Sequence, residues 1–378
     1  MIKVEISDNE LVTLMLCSDL ALCGEEKPYS DAAYSAFAKA LYLSEKEPAD
    51  LFNMNADDIQ TVCKDHAQLF SRIRRKDFDL CVPRMLKRHQ QIIVELNELM
   101  KKGISVVTRA NKSLYPAILR RKLLEAGIPI PAVIYYSGNI SLVDRFNSLA
   151  VVGSRNLEKD SEAVLFTEKV VKKALKSGYA IASGGANGVD SIAQDATLSS
   201  GGFSIICVSD SLLKKIQKAE IRHAILDELS VYLSLVNPKQ RFLSYNAIAR
   251  NKIIYAVSRY AMVVSCDYHT KLNKGEEVID NNKGGTWVGA NECAEKKLSE
   301  LIIRADGQKT PRGNLRLMDT VQCLEINESN LEMDMNFDDM VKSLKKHSGE
   351  KEFVQSDLLF TPSQSYDRDF VQGSNSIN

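Results

Sequence analysis

Leu149-Ala150-Val151-Val152-Gly153-Ser154-Arg155, then one helix's length of chain, then Tyr179-Ala180-Ile181-Ala182-Ser183-Gly184-Gly185-Ala186-Asn187-Gly188-Val189-Asp190: this passage decides the fold. Two short, almost wholly apolar runs each end in a glycine-bearing bend. The stretch between them spaces Ala163, Phe166, Val170 and Ala174 along one helical face, offers Asp160 or Ser161 as N-cap, and stops at Gly178. Strands that lack a polar alternate face are buried on both sides, as in a parallel sheet covered by helices. The alternation extends outward in both directions. Residues 105–107 and 132–136 precede the passage as β-rich runs, and 203–208, 231–235, 261–264 and 301–303 follow it. The expected fold class is α/β, a doubly wound, mostly parallel sheet, preceded by a small helical domain.

That helical domain is expected over residues 1–102, where apolar residues recur at three and four with few β-branched runs. Tyr34, Phe37, Ala38 and Leu41 form one face behind Asp31, Ile59, Val62 and Cys63 mark a second helix, and 86–99 a third. The basic stretch between Arg72 and Arg88 reads as a solvated face, with nucleic-acid contact the other reading. Beyond Gly307 periodicity fades, and 309–378 is expected as an acidic, flexible tail too polar to offset its ordering entropy. Residues 321–378 hold 5 basic and 11 acidic side chains, within a chain whose 49 basic and 49 acidic residues cancel. The body is therefore mildly basic, a distribution common in proteins that meet nucleic acid. Eight scattered Cys residues without a C-x-x-C pair argue against a zinc ribbon and against a disulfide framework. No metal and no cofactor are expected. The first residues are acidic where a secretory leader is basic, and nowhere do eighteen apolar residues stand together. A reduced, soluble, cytoplasmic protein with no membrane partner is expected.

In an open parallel sheet the ligand crevice lies beyond the carboxyl ends of the strands. Gly153, Ser154 and Arg155 suit that place: glycine admits a ligand to the backbone, serine offers a hydroxyl, and arginine a planar charged fork for phosphate. Ser183, Gly184, Gly185, Ala186 and Gly188 form a turn into a helix, aiming N–H donors and the positive dipole end at an anion. Asp190 is expected to cap or orient that turn, because no His or metal partner is placed to make it a base. Neither G-x-G-x-x-G nor G-x-x-x-x-G-K-[ST] occurs, which disfavours dinucleotide enzymes and Walker-type ATPases.

A third cluster holds Lys239, Arg241, Arg250, Asn251 and Lys252 among Phe242, Tyr245 and Tyr255. Interleaved cations and rings suit a single strand, whose phosphates need charge and whose bases need flat surfaces. Solvated cations over core aromatics are the other reading. Asn246, Arg250 and Asn251 share one helix face, with Ile253, Ile254 and Val257 toward the sheet. Gly284, Gly285 and Thr286 open a further helix and would close the same crevice, where Trp287 either stacks or packs. The polar stretch 267–282 reads as a mobile flap. No catalytic residue is assigned, since nothing near Cys266 in sequence activates it.

In this order the motifs resemble the DNA-processing protein A (DprA, or Smf) family. Tyr115-Pro116, Gly153-Ser154-Arg155, the run from Ser183 to Asp190, and Arg250-Asn251-Lys252-Ile253-Ile254 carry the resemblance, over roughly residues 103–305. It implies a Rossmann-like domain at 103–308 that binds single-stranded DNA without cutting it. It implies also a homodimer that protects DNA during uptake and recombination and helps to load a RecA-type recombinase. Arg155, the 183–186 turn and Arg250 to Lys252 would then line the DNA groove. The chain departs from the family where an S-G-[ST]-L-x-T-A loop is replaced by Gly284-Gly285-Thr286-Trp287-Val288-Gly289-Ala290, and no winged-helix pattern follows. Two readings from the same superfamily stay open: a nucleotide-binding sensor, and a phosphoribohydrolase-like enzyme for which Glu292 would be the carboxylate.

Overall fold

Capping residues and apolar spacing build five amino-terminal helices: α1 (Asp8–Cys17), α2 (Asp31–Leu43), α3 (Ala56–Asp65), α4 (Phe78–Leu86) and α5 (His89–Lys101). Ser30, rather than Asp31, caps α2 by accepting the Ala33 N–H at 3.2 Å. The computed structural model describes residues 5–22, 26–73, 78–155, 157, 161–266, 268–273 and 276–349 of the chain.

Strands and helices then alternate through β1 (Ser105–Thr108), α6 (Ala117–Glu125), β2 (Val133–Ser137), β3 (Ser148–Val152), α7 (Ser161–Lys176) and β4 (Ala180–Ser183). Next come α8 (Val189–Ser199), β5 (Ser204–Val208), α9 (Leu212–Lys215), α10 (Ala219–Leu226), β6 (Ser230–Ser234), α11 (Ser244–Ala256) and β7 (Tyr260–Val263). A hairpin of β8 (Tyr268–Asn273) and β9 (Glu276–Lys283) leads to α12 (Gly285–Glu295) and β10 (Glu300–Arg304). The last elements are α13 (Arg312–Thr320), β11 (Cys323–Ile326), α14 (Glu328–Glu332), α15 (Phe337–Ser343) and β12 (Lys345–His347).

One sheet runs in the order β1-β2-β6-β5-β4-β3-β7-β10-β11-β12. From β6 to β11 every neighbouring pair is parallel, while β1, β2 and β12 are added antiparallel at the two edges. The fold is the expected mostly parallel α/β sheet. Its order reverses at β3, which pairs with β4 on one side and β7 on the other, so the topological switch point lies there.

Successive strand residues alternate between two cores. Ala150, Val152, Ala182, Ile205 and Cys207 pack toward the face covered by α6, α11, α12 and α13. Leu149, Val151 and Ile181 pack toward α7 and α8 on the other. Lys122 of α6 sets the helices of the site: its Nζ donates to Ser258 O (2.5 Å) and Leu298 O (2.6 Å), just beyond α11 and α12. A cation at two helix carboxyl ends is stabilising there, and burial lowers the Lys122 pKa.

Three expectations need correction. The helices of 1–102 have no core of their own, because Phe37, Leu41 and Met85 share one cluster with Val133, Tyr135, Ile206, Val208 and Tyr232 of the sheet. The flap expected at 267–282 contains the β8–β9 hairpin, with 267, 274 and 275 outside the described residues. The tail expected from 309 is folded as far as 349. There β11 and β12 extend the sheet, while Phe337, Met340 and Val341 cover Tyr179 and Tyr260. Short capped elements escaped notice because their charged residues sit on the outer face and their apolar residues are few. Residues 350–378 lie outside the described residues.

Candidate nucleic-acid interface

The bends after β3 and β4 meet at the switch point. The Val189 N–H donates to Ser154 O at 3.2 Å, and Gly188, at φ +79°, brings its Cα against the Ser154 carbonyl and the Arg155 backbone. A side chain at Gly188 would be strained in that conformation and would strike the neighbouring bend. Behind them, Ser265 at the end of β7 receives the Ser154 N–H at 3.1 Å.

Much of what the sequence offered to a ligand is engaged inside the protein. Ser154 and Ser183 are buried, and Ser183 Oγ donates to Val151 O at 2.9 Å. A Cβ at Gly153 would overlap Val189, and one at Gly184 would overlap the Arg250 guanidinium. These glycines let the loops close on one another, so the expectation that they admit a ligand is corrected. Asp190 is buried, accepts the Ala186 N–H at 3.4 Å and lies 3.9 Å from Arg250 Nη1. Burial raises its pKa, opposed by the Arg250 charge and by the Ala186 hydrogen bond. Its carboxylate is thus bonded to the turn rather than open to solvent. Arg250 is buried as well and donates to Cys207 O at 2.9 Å, so it does not line a surface groove.

The surface of the crevice is made by other groups. Arg155 is exposed, with its guanidinium 5.4 Å from the centre of the Phe242 ring. Phe242 is 47% exposed and Tyr245 63%, against 1% for Tyr255, so two of the three interleaved aromatics face solvent and the third is core. Arg241 is exposed beside them, and Lys239 lies 4.0 Å from Glu95 of α5. Asn246 is buried with Nδ2 lacking a partner among the described residues.

Opposite stands the start of α12. Thr286 Oγ1 donates to Gly153 O at 3.1 Å, and Asn251 Nδ2 donates to Gly285 O at 3.2 Å, which places Gly284, Gly285 and Thr286 beside the bend after β3. Gly285 is exposed with nothing within 4 Å of a Cβ position, and among the described residues no side chain caps the first turn of α12, whose N-cap is Gly284. Trp287 packs into the core. Lys252 is held by Glu292 at 2.9 Å, which also engages the carboxylate that an enzyme reading would need.

Sequence reasoning missed Ser265 and Lys215. The Lys215 Nζ donates to Gly185 O at 2.8 Å and lies 3.6 Å from Asp210. Its position four residues past a strand-end Ser-Asp-Ser was the signal available. A cavity of ≈ 550 Å³ against Phe146, Lys172 and Phe203 lies at the amino ends of the strands, away from this crevice.

Comparison with known proteins agrees with the fold. Residues 105–270 match the family model described as DNA recombination-mediator protein A. The DNA processing protein DprA of Streptococcus pneumoniae (strain ATCC BAA-255 / R6) is 33% identical over 134 residues, 35% of this chain and 46% of that protein. The matched stretch thus spans about half the length of that curated relative. The X-ray structure of DNA processing protein A from S. pneumoniae aligns over 83% of this chain and 93% of that one, at 20% identity and a TM-score of 0.56. A structure of DNA processing protein A from Helicobacter pylori, described for its single-stranded DNA binding mode, aligns over 57% and 86% at 21% identity and a TM-score of 0.41. Residues 105–270 contain Arg155, the 183–190 turn and Arg250 to Lys252, and it is over that stretch that this chain is similar to the DNA recombination-mediator protein A family.

Proposed function

We propose that this protein binds single-stranded DNA across the β3–β7 switch point. The observation that carries the reading is the junction of the two bends, which leaves Arg155 exposed over Phe242 and opposite the uncapped first turn of α12. Phosphates are met by Arg155, Arg241 and the amides of Gly285 and Thr286, and bases by the open faces of Phe242 and Tyr245. Buried Ser154, Ser183, Asp190 and Arg250 serve by shaping the loops. Similarity to the DNA recombination-mediator protein A family over residues 105–270 supports the rest of the proposal: a cytoplasmic homodimer that shields single strands in uptake or recombination and hands them to a RecA-type recombinase.

Fluorescence anisotropy with an oligo-thymidine, a duplex and a set of mononucleotides, each across a salt series, tests the reading. Oligo-thymidine should bind best, with a steep salt dependence. Arg155→Ala should lower affinity and reduce the slope of log K against log salt by about 0.7, the value for one single-strand phosphate contact. Binding that ignores salt, or that prefers a mononucleotide, would sink it.

A further inference from the structure

Arg250 belongs to the stretch that the family resemblance assigns to the DNA groove, yet its surroundings give it another task. The side chain is 6% exposed. Nη1 donates to Cys207 O on β5 at 2.9 Å and stands 3.9 Å from Asp190 Oδ2 in the first turn of α8. Gly184, just past β4, has no Cβ because the guanidinium occupies that place. One planar group therefore ties together the end of β5, the turn after β4 and the start of α8. Asp190, facing this cation, receives the Ala186 N–H, and Gly188 at the far side of the turn rests on Arg155.

We infer that Arg250 is a positioning residue: it sets the 184–188 turn, and through Gly188 the direction of Arg155, without touching a phosphate. The inference rests on the reading of the crevice as a single-stranded DNA site. A guanidinium suits the task because its fork can serve a carbonyl and a carboxylate together, which a lysine point charge on a flexible stem does poorly.

The full-length protein and its Arg250→Lys, Arg250→Gln, Gly184→Ala and Gly184→Ala/Arg250→Gln variants would be titrated with a labelled oligo-thymidine across a salt series. Titrations would be run well below each measured Tm. Both Arg250 variants should lose about tenfold in affinity, as for a broken buried ion pair and hydrogen bond. Arg155→Ala flattens the salt slope by about 0.7, and adding Arg250→Gln to Arg155→Ala should flatten it no further. Gly184→Ala should cost a similar factor alone and far less beside Arg250→Gln, where the vacated space accepts the methyl group.

A further slope loss of about 0.7 when Arg250→Gln is added to Arg155→Ala would mean a phosphate contact of its own, through an Nε that has no partner among the described residues, and would overturn the inference. Strict additivity of Gly184→Ala and Arg250→Gln would overturn it too. Hydrogen exchange in the DNA-free protein separates this question from DNA binding itself: the 183–190 amides should exchange faster in Arg250→Gln and not in Arg155→Ala. Unchanged exchange refutes the positioning role even if DNA binds, while faster exchange without any DNA binding refutes only the proposed function. Should Arg250→Gln fail to fold, the neutral pair Asp190→Asn/Arg250→Gln carries the same readouts.

Discussion

Gly153 and Gly285 stand on facing loops of the crevice, yet a methyl group added to each meets opposite surroundings. At Gly153 it would drive into Val189 and crowd Ser265 Oγ at 3.1 Å, both parts of the junction between loops. Gly153→Ala should therefore lower stability by about 1–3 kcal/mol, as overpacking does. At Gly285 it would enter open space in the first turn of a helix. Gly285→Ala should leave the Tm level or raised, because alanine is the better helix former, while weakening DNA binding by crowding the free amides. Tm and affinity measured on both variants should thus separate cleanly; an affinity unchanged in Gly285→Ala would remove this turn from the site. Lys252 is a second case in which a neighbour decides the role. Glu292, at 2.9 Å, competes with any phosphate for that ammonium. Glu292→Gln should strengthen oligo-thymidine binding a few-fold and steepen the salt slope by about 0.7. A weaker complex would show that the carboxylate itself has a place in binding.

Elements assembled from the ends of the sequence behave as parts of the sheet. Phe337 of α15 is fully buried, with ring centres 5.2 Å from Tyr179 and 6.0 Å from Tyr260, beside the amino ends of β4 and β7. Phe337→Ala should cost about 3–5 kcal/mol, the range for emptying a core phenylalanine site. Urea denaturation would show it as a lower midpoint at unchanged slope, and a midpoint that stays put would mean that the carboxyl-terminal layer is dispensable. The sequence made the parallel strands legible, because runs such as Leu149 to Val152 or Ile205 to Val208 are apolar on both faces. It hid β11 and β12. Cys323-Leu324-Glu325-Ile326 is only four residues long, and Lys345-Lys346-His347 looks like solvated chain until Glu325 is seen to bind Lys345 (3.1 Å) and His347 (2.8 Å) across the strands. The site shows the same divide. Loop positions followed from strand ends and glycines, whereas burial did not: Arg155 and Arg250 look alike in sequence, and only packing against Gly184 and Cys207 takes Arg250 out of solvent.

At the scale of the whole molecule, the amino-terminal helices are a layer of the α/β unit, and polar ties reach from them to the crevice. Arg109 Nη1 donates to Ser35 Oγ at 2.6 Å, and Asn237 Nδ2 donates to Asp19 Oδ1 at 2.9 Å. With Lys239 beside Glu95, the latter bond hangs the loop bearing Arg241 and Phe242 from α5 and the end of α1. Asp31, at the start of α2, is the tie that senses pH. Its Oδ1 accepts the Ala132 N–H at 2.8 Å. Burial pushes its carboxyl up to about 6 from 3.8, against the pull of that hydrogen bond and of the Arg109 charge. A carboxyl that holds its proton more tightly when folded makes the native state lose stability as pH rises from about 4 to about 6, and adds no further slope above. Asp31→Asn keeps an acceptor oxygen for Ala132 without the ionisation. Thermal melts from pH 4 to 8 should show this decline in the wild type and a flatter profile in the variant, which should gain relative stability at pH 7. Parallel profiles would mean that Asp31 titrates alike in the folded and unfolded chain, and that the helical layer meets the sheet without a buried carboxyl at the seam.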